Sequence, residues 1–344
     1  MANNGIVYGL LKQKGIDGTG LTPKEAWEKL NEVEGKQNSQ SKQESAEEKK
    51  VNAIVKGKEE KTIGDYRKEA VDNNNIKTIS QEEKERLKKG VESGSISIEE
   101  VQKLPLVQNA EKEAKVPDEK QTVNIDTPER KKLREEVANK LLNMGSYTGK
   151  KDGKDSFDGE VKQERIAHIV IGAPAGGKSS VMANPLSKQF SARIIDSDDA
   201  KKGLPEYNGG LGAGIVHEES SRIAKNMVFP SAVKNGDNII LPIVGKSKDS
   251  IEGYRKQLKD AGYKVYLNLN EVGSETSKKR AFTRFLDTGR FLSFDYLDSI
   301  GDLPLKNYQD YKKTGGFDGY AHFNNEVKRG EKPKRIEQTY DLDF

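Results

Sequence analysis

From about residue 165 onward, short apolar runs alternate with amphipathic stretches. Ile166–Ile171, Ala192–Ile195, Asn238–Ile243 and Lys264–Leu269 read as buried strands. Stretches over roughly 178–190, 215–235, 248–261 and 274–288 carry the helical period between them. Strand–helix alternation of this kind predicts an α/β fold, a parallel sheet covered by helices on both faces.

Upstream of residue 150 the pattern is broken. Residues 36–62 offer almost no apolar surface to offset ordering entropy, so a flexible linker is expected there. A second linker is expected over 105–126, polar and punctuated by Pro105 and Pro117. Helix starts are marked nonetheless. Thr22-Pro23-Lys24-Glu25 is a capping box, opening a helix with Trp27, Leu30 and Val33 on one face. Ser80…Glu83 and Ser97…Glu100 repeat the signal, and a longer helix is predicted from Pro128 to Met144 with Leu133, Val137 and Leu141 in line. The expected organisation is a small helical segment (1–36), a linker (37–62), short helices and linker (63–126), and an α/β domain (127–344) whose core is 165–337. The pieces before the domain read as helical adaptors or spacers, with a partner-binding or delivery segment as the alternative.

Composition sharpens this division. Of 23 aromatic residues only Tyr8, Trp27, Tyr66 and Tyr147 precede residue 150, so the packed core belongs to the second half. The absence of cysteine removes disulfides, thiolate metal sites and cysteine nucleophiles. A net charge of +4 from 59 basic and 55 acidic residues gives no field favouring nucleic acid or anionic lipid. The apolar runs are too short to span a bilayer, and the start lacks the pattern of a secretory signal. A cytoplasmic protein is expected, with export by a signal-independent route left open.

The strongest chemical signal is Gly172-Ala173-Pro174-Ala175-Gly176-Gly177-Lys178-Ser179, followed by Ser180, which satisfies G-x-x-x-x-G-K-[ST]. An apolar strand precedes it and a helix follows, the context a phosphate loop requires. Small residues let backbone N–H groups curl around a phosphate at a helix N-terminus. Lys178 is placed to reach the β- and γ-phosphates and the Ser179 hydroxyl to ligate Mg²⁺. The following strand ends in Asp196-Ser197-Asp198-Asp199, at the sheet edge where ligands of parallel α/β folds bind. One carboxylate there can accept the proton of an incoming hydroxyl while another, Asp196, orients the metal. An acidic helix cap is the structural alternative. Arg280 and Arg284 lie four apart on a predicted helix and share a face, and Arg290 follows the helix end at Thr288-Gly289. The three histidines, His168, His217 and His322, show no ligand spacing, and His168 is expected simply to pack within its strand.

GAPAGGKSS (172–180), IIDSDDAKKGLPEY (194–207) and SKKRAFTRFLDTGRF (277–291) together resemble the zeta toxin family of P-loop kinases over about 165–337. FDGYAHFNNEVKRGEKPKRIE (317–337) is similar to the tail of zeta-type domains in mobile-element proteins. The resemblance implies a P-loop NTPase-like sheet and an ATP- and Mg²⁺-dependent kinase acting on a hydroxyl of UDP-N-acetylglucosamine, restrained by an antitoxin protein. It implies Asp198 as general base, Lys178 as the loop lysine, and Arg280 with either Arg284 or Arg290 as the charge-stabilising arginines. One departure stands out. Where the family pattern ends its third strand in an acidic residue and Gly-Thr, this chain reads Ile239-Ile240-Leu241-Pro242-Ile243-Val244-Gly245-Lys246. Metal support then falls to residues 196–199 or to Glu218 and Glu219, and Asp199, His217, Glu218 and Glu219 are candidates to face the acceptor. Two other readings remain at this level: a polynucleotide or nucleoside kinase, which the even charge disfavours for polymers, and a nucleotide-binding module without turnover.

Overall fold

In the computed structural model, residues 79–114, 126–328 and 330–344 are described, with isolated residues between 17 and 29. The chain divides into two units, Met1–Tyr66 and Arg67–Phe344. In the first, the capping box forms: Thr22 N–H donates to the Glu25 carboxylate at 2.7 Å, and Glu25 N–H reaches the Thr22 hydroxyl at 3.4 Å. Trp27, Leu30, Val33 and the linker expected over 37–62 lie outside the described residues.

The second unit begins with three short helices, α1 (Gln81–Ser93), α2 (Ile98–Lys103) and α3 (Pro105–Ala114). Ser80 and Ser97 cap α1 and α2 through their hydroxyls as the sequence signals predicted. The linker expected over 105–126 is corrected for its first ten residues. Pro105 opens α3 instead of breaking the chain, since its missing N–H is unpaired at a first helical position anyway. Then come α4 (Pro128–Leu142) and a hairpin of β1 (Gly149–Lys151) with β2 (Lys154–Ser156).

The α/β core follows in chain order. It comprises β3 (Ile166–Ile171), α5 (Asn184–Gln189), β4 (Arg193–Ile194), α6 (Ser197–Lys202), α7 (His217–Ile223), α8 (Phe229–Asn235), β5 (Ile239–Pro242) and α9 (Lys248–Asp260). It continues with β6 (Lys264–Glu271), α10 (Ser274–Thr288), α11 (Phe294–Ile300), α12 (Leu303–Thr314), β7 (Gly319–Asn324) and β8 (Lys334–Gln338). The sheet order is β4-β5-β3-β6-β7-β8, parallel except for the antiparallel last strand. β3 sits between β5 and β6, so its run IAHIVI is buried on both sides, the reason it is continuously apolar.

Alternation along the strands divides the core by face. Ala167, Ile169 and Ile171 pack with Ile239, Leu241, Val265 and Leu267 beneath α4, α8, α9 and α12. Val170 and Ile240 face the other way, with Ala321 and Phe323, onto Met182, Leu186 and the C-terminal Leu342. Two helices carry a π-helical turn, Ser179–Ala183 before α5 and Ala224–Val228 before α8. Each ends two residues before a proline, Pro185 or Pro230. The ring supplies no N–H, and the preceding residue donates five positions back, Asn184 to Ser179 and Phe229 to Ala224.

The expected domain boundary at 127 also needs correcting. Leu87, Val91, Ile98, Val101, Val107 and Ala110 of α1–α3 form one buried cluster with Phe282, Phe285 and Leu286 of α10 and Phe294 and Leu297 of α11. Lys88 pairs with Asp287, and Phe294 N–H donates to the Glu111 carboxylate at 2.5 Å. These helices are built into the α/β unit and leave no separate adaptor over 81–112. Among the described residues, no helix is long and apolar enough to cross a membrane.

Candidate active site

β3 delivers the chain into the loop Gly172–Lys178 at the carboxyl edge of the sheet. Gly172 (φ +153) is required on contact grounds as well, because a Cβ there would lie 2.3 Å from the Asn270 carbonyl oxygen. Gly172 N–H donates to Val244 O at 3.1 Å, and Ser277 Oγ donates to Pro174 O at 2.6 Å, so α10 and the segment after β5 fasten the loop from outside. Lys178 Nζ donates to the carbonyls of Gly172 (2.8 Å) and Ala173 (2.9 Å). Burial lowers its pKa to about 8, opposed by Asp196 and Asp198. Ser179 and Ser180 are exposed at the start of the following helix, and Ser180 Oγ donates to Gly177 O.

One carbonyl in the loop gathers three donors. Gly176 O accepts from Asn325 Nδ2 (2.7 Å), Asn270 Nδ2 (2.9 Å) and an Arg280 guanidinium nitrogen (3.1 Å). Arg280 also donates to Asn325 O and Val327 O, both at 2.9 Å. The arginine implied to stabilise transferring charge is therefore engaged with backbone carbonyls of the loop and of the segment after β7.

Across the site, Asp196 N-caps α6, its carboxylate accepting Asp198 N–H at 2.9 Å. Cap and functional candidate coincide in one residue. Burial, with Asp198 and Asp199 adding repulsion, raises Asp196 to about 7. Asp198 is the opposite case. Burial alone would raise it, but Lys201 (2.9 Å) and Arg290 (2.7 Å) hold it well below the usual carboxylate range. Asp199 pairs with Lys202 at 2.6 Å. Arg284 brings a cation to the same place. Burial lowers it to about 10, Arg290 repels it and Asp198 attracts it, while its buried Nε has no hydrogen-bond partner. Arg284 in turn depresses Lys178, and His217 is lowered by burial and by Lys201.

The fold thus gathers Lys178, Asp196, Asp198, Arg284, Arg290 and His217. It does not gather Glu219, whose expected role is corrected. Glu219 is buried and takes Arg130 (2.8 Å) and Arg134 (2.7 Å), tying α7 to α4. Two arginines one helical turn apart had already claimed that carboxylate. Glu218, its neighbour, is exposed. Lys201 was missed, although its position three after Asp198 on a helix was the available signal. Asn270 and Asn325 carried no signal, being single amides at strand ends.

After β5, Val244 and Gly245 lie against the start of the phosphate loop, where a Cβ on Gly245 would be 2.5 Å from Ile171 Cβ. The place of the expected third-strand carboxylate is taken by close backbone packing. Among the described residues, no group of three or more His, Asp or Glu converges as in an all-protein metal cage. Mg²⁺ does not need one, since it is held by one or two carboxylates plus substrate phosphates.

A phosphate loop at the edge of a parallel sheet, facing an aspartate flanked by arginines, defines the class: a P-loop kinase, a phosphotransferase. Residues 154–319 match the family model described as Zeta toxin. Similar solved structures include one from the PezAT chromosomal toxin–antitoxin system of Streptococcus pneumoniae, at 15% identity over 60% of this chain and 81% of that one, with a TM-score of 0.46. The AvrRxo1-ORF1:-ORF2 complex is similar both with ATP (14% identity, 63% and 70% of the two chains, TM-score 0.43) and in its native form (17%, the same coverage, 0.44). No curated protein sequence matches significantly.

Proposed function

We propose that the protein transfers the γ-phosphate of ATP to a hydroxyl of a nucleotide sugar, with UDP-N-acetylglucosamine the first acceptor to try. The observation that carries the reading is the meeting of Asp198 with Arg290 and the incompletely bonded Arg284 across from Lys178. Loop amides and Lys178 hold the phosphates. Asp198 orients the acceptor hydroxyl and takes its proton. Arg284 and Arg290 balance charge spreading over the equatorial oxygens, where preorganised cations contribute most. Because that transition state is loose, a carboxylate of low basicity suffices to orient the hydroxyl. The donors suit Mg²⁺: the Ser179 hydroxyl and the Asp196 carboxylate, crowded by two other carboxylates, are hard oxygen ligands. When bound, Mg²⁺ would neutralise charge on the β- and γ-phosphate oxygens. The nucleotide-sugar acceptor and an antitoxin partner rest on the family resemblance.

The test is transfer from γ-labelled ATP to nucleotide sugars, nucleosides and oligonucleotides by wild type, Lys178→Ala and Asp198→Ala. Transfer to nucleotide sugars that both substitutions abolish is expected. Transfer to oligonucleotides alone points to a polynucleotide kinase. Tight ATP binding with no transfer to any acceptor points to a binding module, a reading that the absent third-strand carboxylate favours.

A further inference from the structure

We infer that Asn270 and Asn325 are positioning residues for the phosphate loop, acting through the Gly176 carbonyl. The inference deepens the proposed function and rests on its reading that the loop binds the β- and γ-phosphates of ATP. Both side chains are buried, Asn270 with 0% and Asn325 with 3% of its surface exposed. They come from the ends of neighbouring parallel strands, Asn270 within β6 and Asn325 just after β7, where Asn325 N–H donates to Glu271 O at 2.8 Å. Their amides approach one oxygen from two strands, and Arg280 supplies a third donor from α10. A carbonyl oxygen has two lone pairs, and three donors on one such atom exceed ordinary backbone satisfaction.

The peptide that carries this oxygen also carries Gly177 N–H. The peptide is planar and trans, so N–H and C=O point in opposite directions. Fixing the oxygen toward β6 and β7 therefore aims the Gly177 N–H away from them, into the loop that precedes Lys178. Donors on the carbonyl also polarise the amide and strengthen its N–H as a donor to an anion. Gly177 fits this role closely: its φ is +85°, and a Cβ would stand 3.0 Å from Asn325 Nδ2. A side chain at 177 would push the clamp off the carbonyl.

The test is calorimetric binding of ATP, ADP and AMP, without acceptor, to wild type, Asn325→Ala, Asn325→Asp, Asn270→Ala and Lys178→Ala. Losing one clamp donor is expected to weaken ATP and ADP about five- to tenfold and to leave AMP unchanged, because AMP lacks the phosphates that the aimed amide serves. Asn325→Asp is expected to weaken ATP more than Asn325→Ala, since a carboxylate repels the carbonyl it faces. That variant is nearly isosteric, so the question stays answerable if Asn270→Ala does not fold. Equal losses for ATP and AMP, or wild-type ATP affinity in both Asn325 variants, overturn the clamp. A wild type that binds no ATP, or that Lys178→Ala matches in ATP affinity, overturns the reading of the loop and the clamp with it.

Discussion

One guanidinium nitrogen of Arg290 donates to one carboxylate oxygen of Asp198 at 2.9 Å and lies 2.7 Å from the other. The proposed base and the proposed charge stabiliser thus hold each other at the C-terminal edge of the sheet, and transferring phosphoryl oxygens would compete with Asp198 for the same cation. Arg290→Ala is expected to lower kcat by about 10²–10³, the range for removing one preorganised donor. Arg290→Lys should recover little of this, since an ammonium lacks the planar fork. Steady-state kinetics check it, and a wild-type kcat in Arg290→Ala would remove Arg290 from the mechanism.

Arg280 and Arg284 share a helix but meet different partners. Arg280 donates to three backbone carbonyls, whereas Arg284 lies beside Lys178 and Asp198. Arg280→Ala should act mainly on KM for ATP and Arg284→Ala mainly on kcat. Identical kinetic profiles for the two variants would count against the division.

Glu219 binds two arginines in a buried setting, so Glu219→Ala removes one carboxylate from each, while Arg130 keeps Glu206 (2.7 Å) and Arg134 keeps Asp126 (2.5 Å). The expected cost is about 1–3 kcal/mol of stability, read by urea denaturation. KM for the acceptor should stay at the wild-type value in the folded fraction. A stable variant with a raised acceptor KM would restore Glu219 to the substrate site.

His168 is fully buried, its ring stacked on Tyr266 at 4.9 Å, and burial lowers its pKa from 6.5 to about 3. Between those values the unfolded chain binds a proton that the folded chain refuses. Its contribution is therefore complete above about pH 6.5 and declines as pH falls toward 3, by about 1.4 kcal/mol per pH unit. Denaturant titrations at pH 7, 6 and 5 should show this fall in wild type and a shallower one in His168→Phe.

The α1–α3 layer should matter to the whole unit. Leu87 is 2% exposed within the cluster that backs α10. Leu87→Ala is expected to cost about 2–5 kcal/mol, measured by urea unfolding, with one cooperative transition. An early transition confined to the first helices would mark them as a separate adaptor.

How much of this was legible beforehand varied with the kind of signal. The four strands from Ile166 to Leu269 announced themselves as apolar runs because a parallel sheet buries both faces. β7 did not, because Gly319, His322 and Asn324 interrupt its run, and α11 and α12 likewise had no expectation attached. Pro105 was read as a breaker because, in sequence, a proline at a first helical position and one in a loop look alike. Glu219 looked available because the arginines that engage it lie 85 and 89 positions away.

The local chemistry was therefore determined by sequence alone: a phosphate loop between strand and helix, paired aspartates at the next strand end, arginines spaced along one helix. Backbone propensity and short-range spacing are sufficient for those features. Tertiary structure decided which charged groups meet. It set Arg290 on Asp198, engaged Arg280 with loop carbonyls, withdrew Glu219 into an ion-pair network and brought Asn270 and Asn325 onto Gly176. Charge pairing and amide hydrogen bonds depend on distances of about 3 Å, and only the packing of strands and helices remote in sequence sets those.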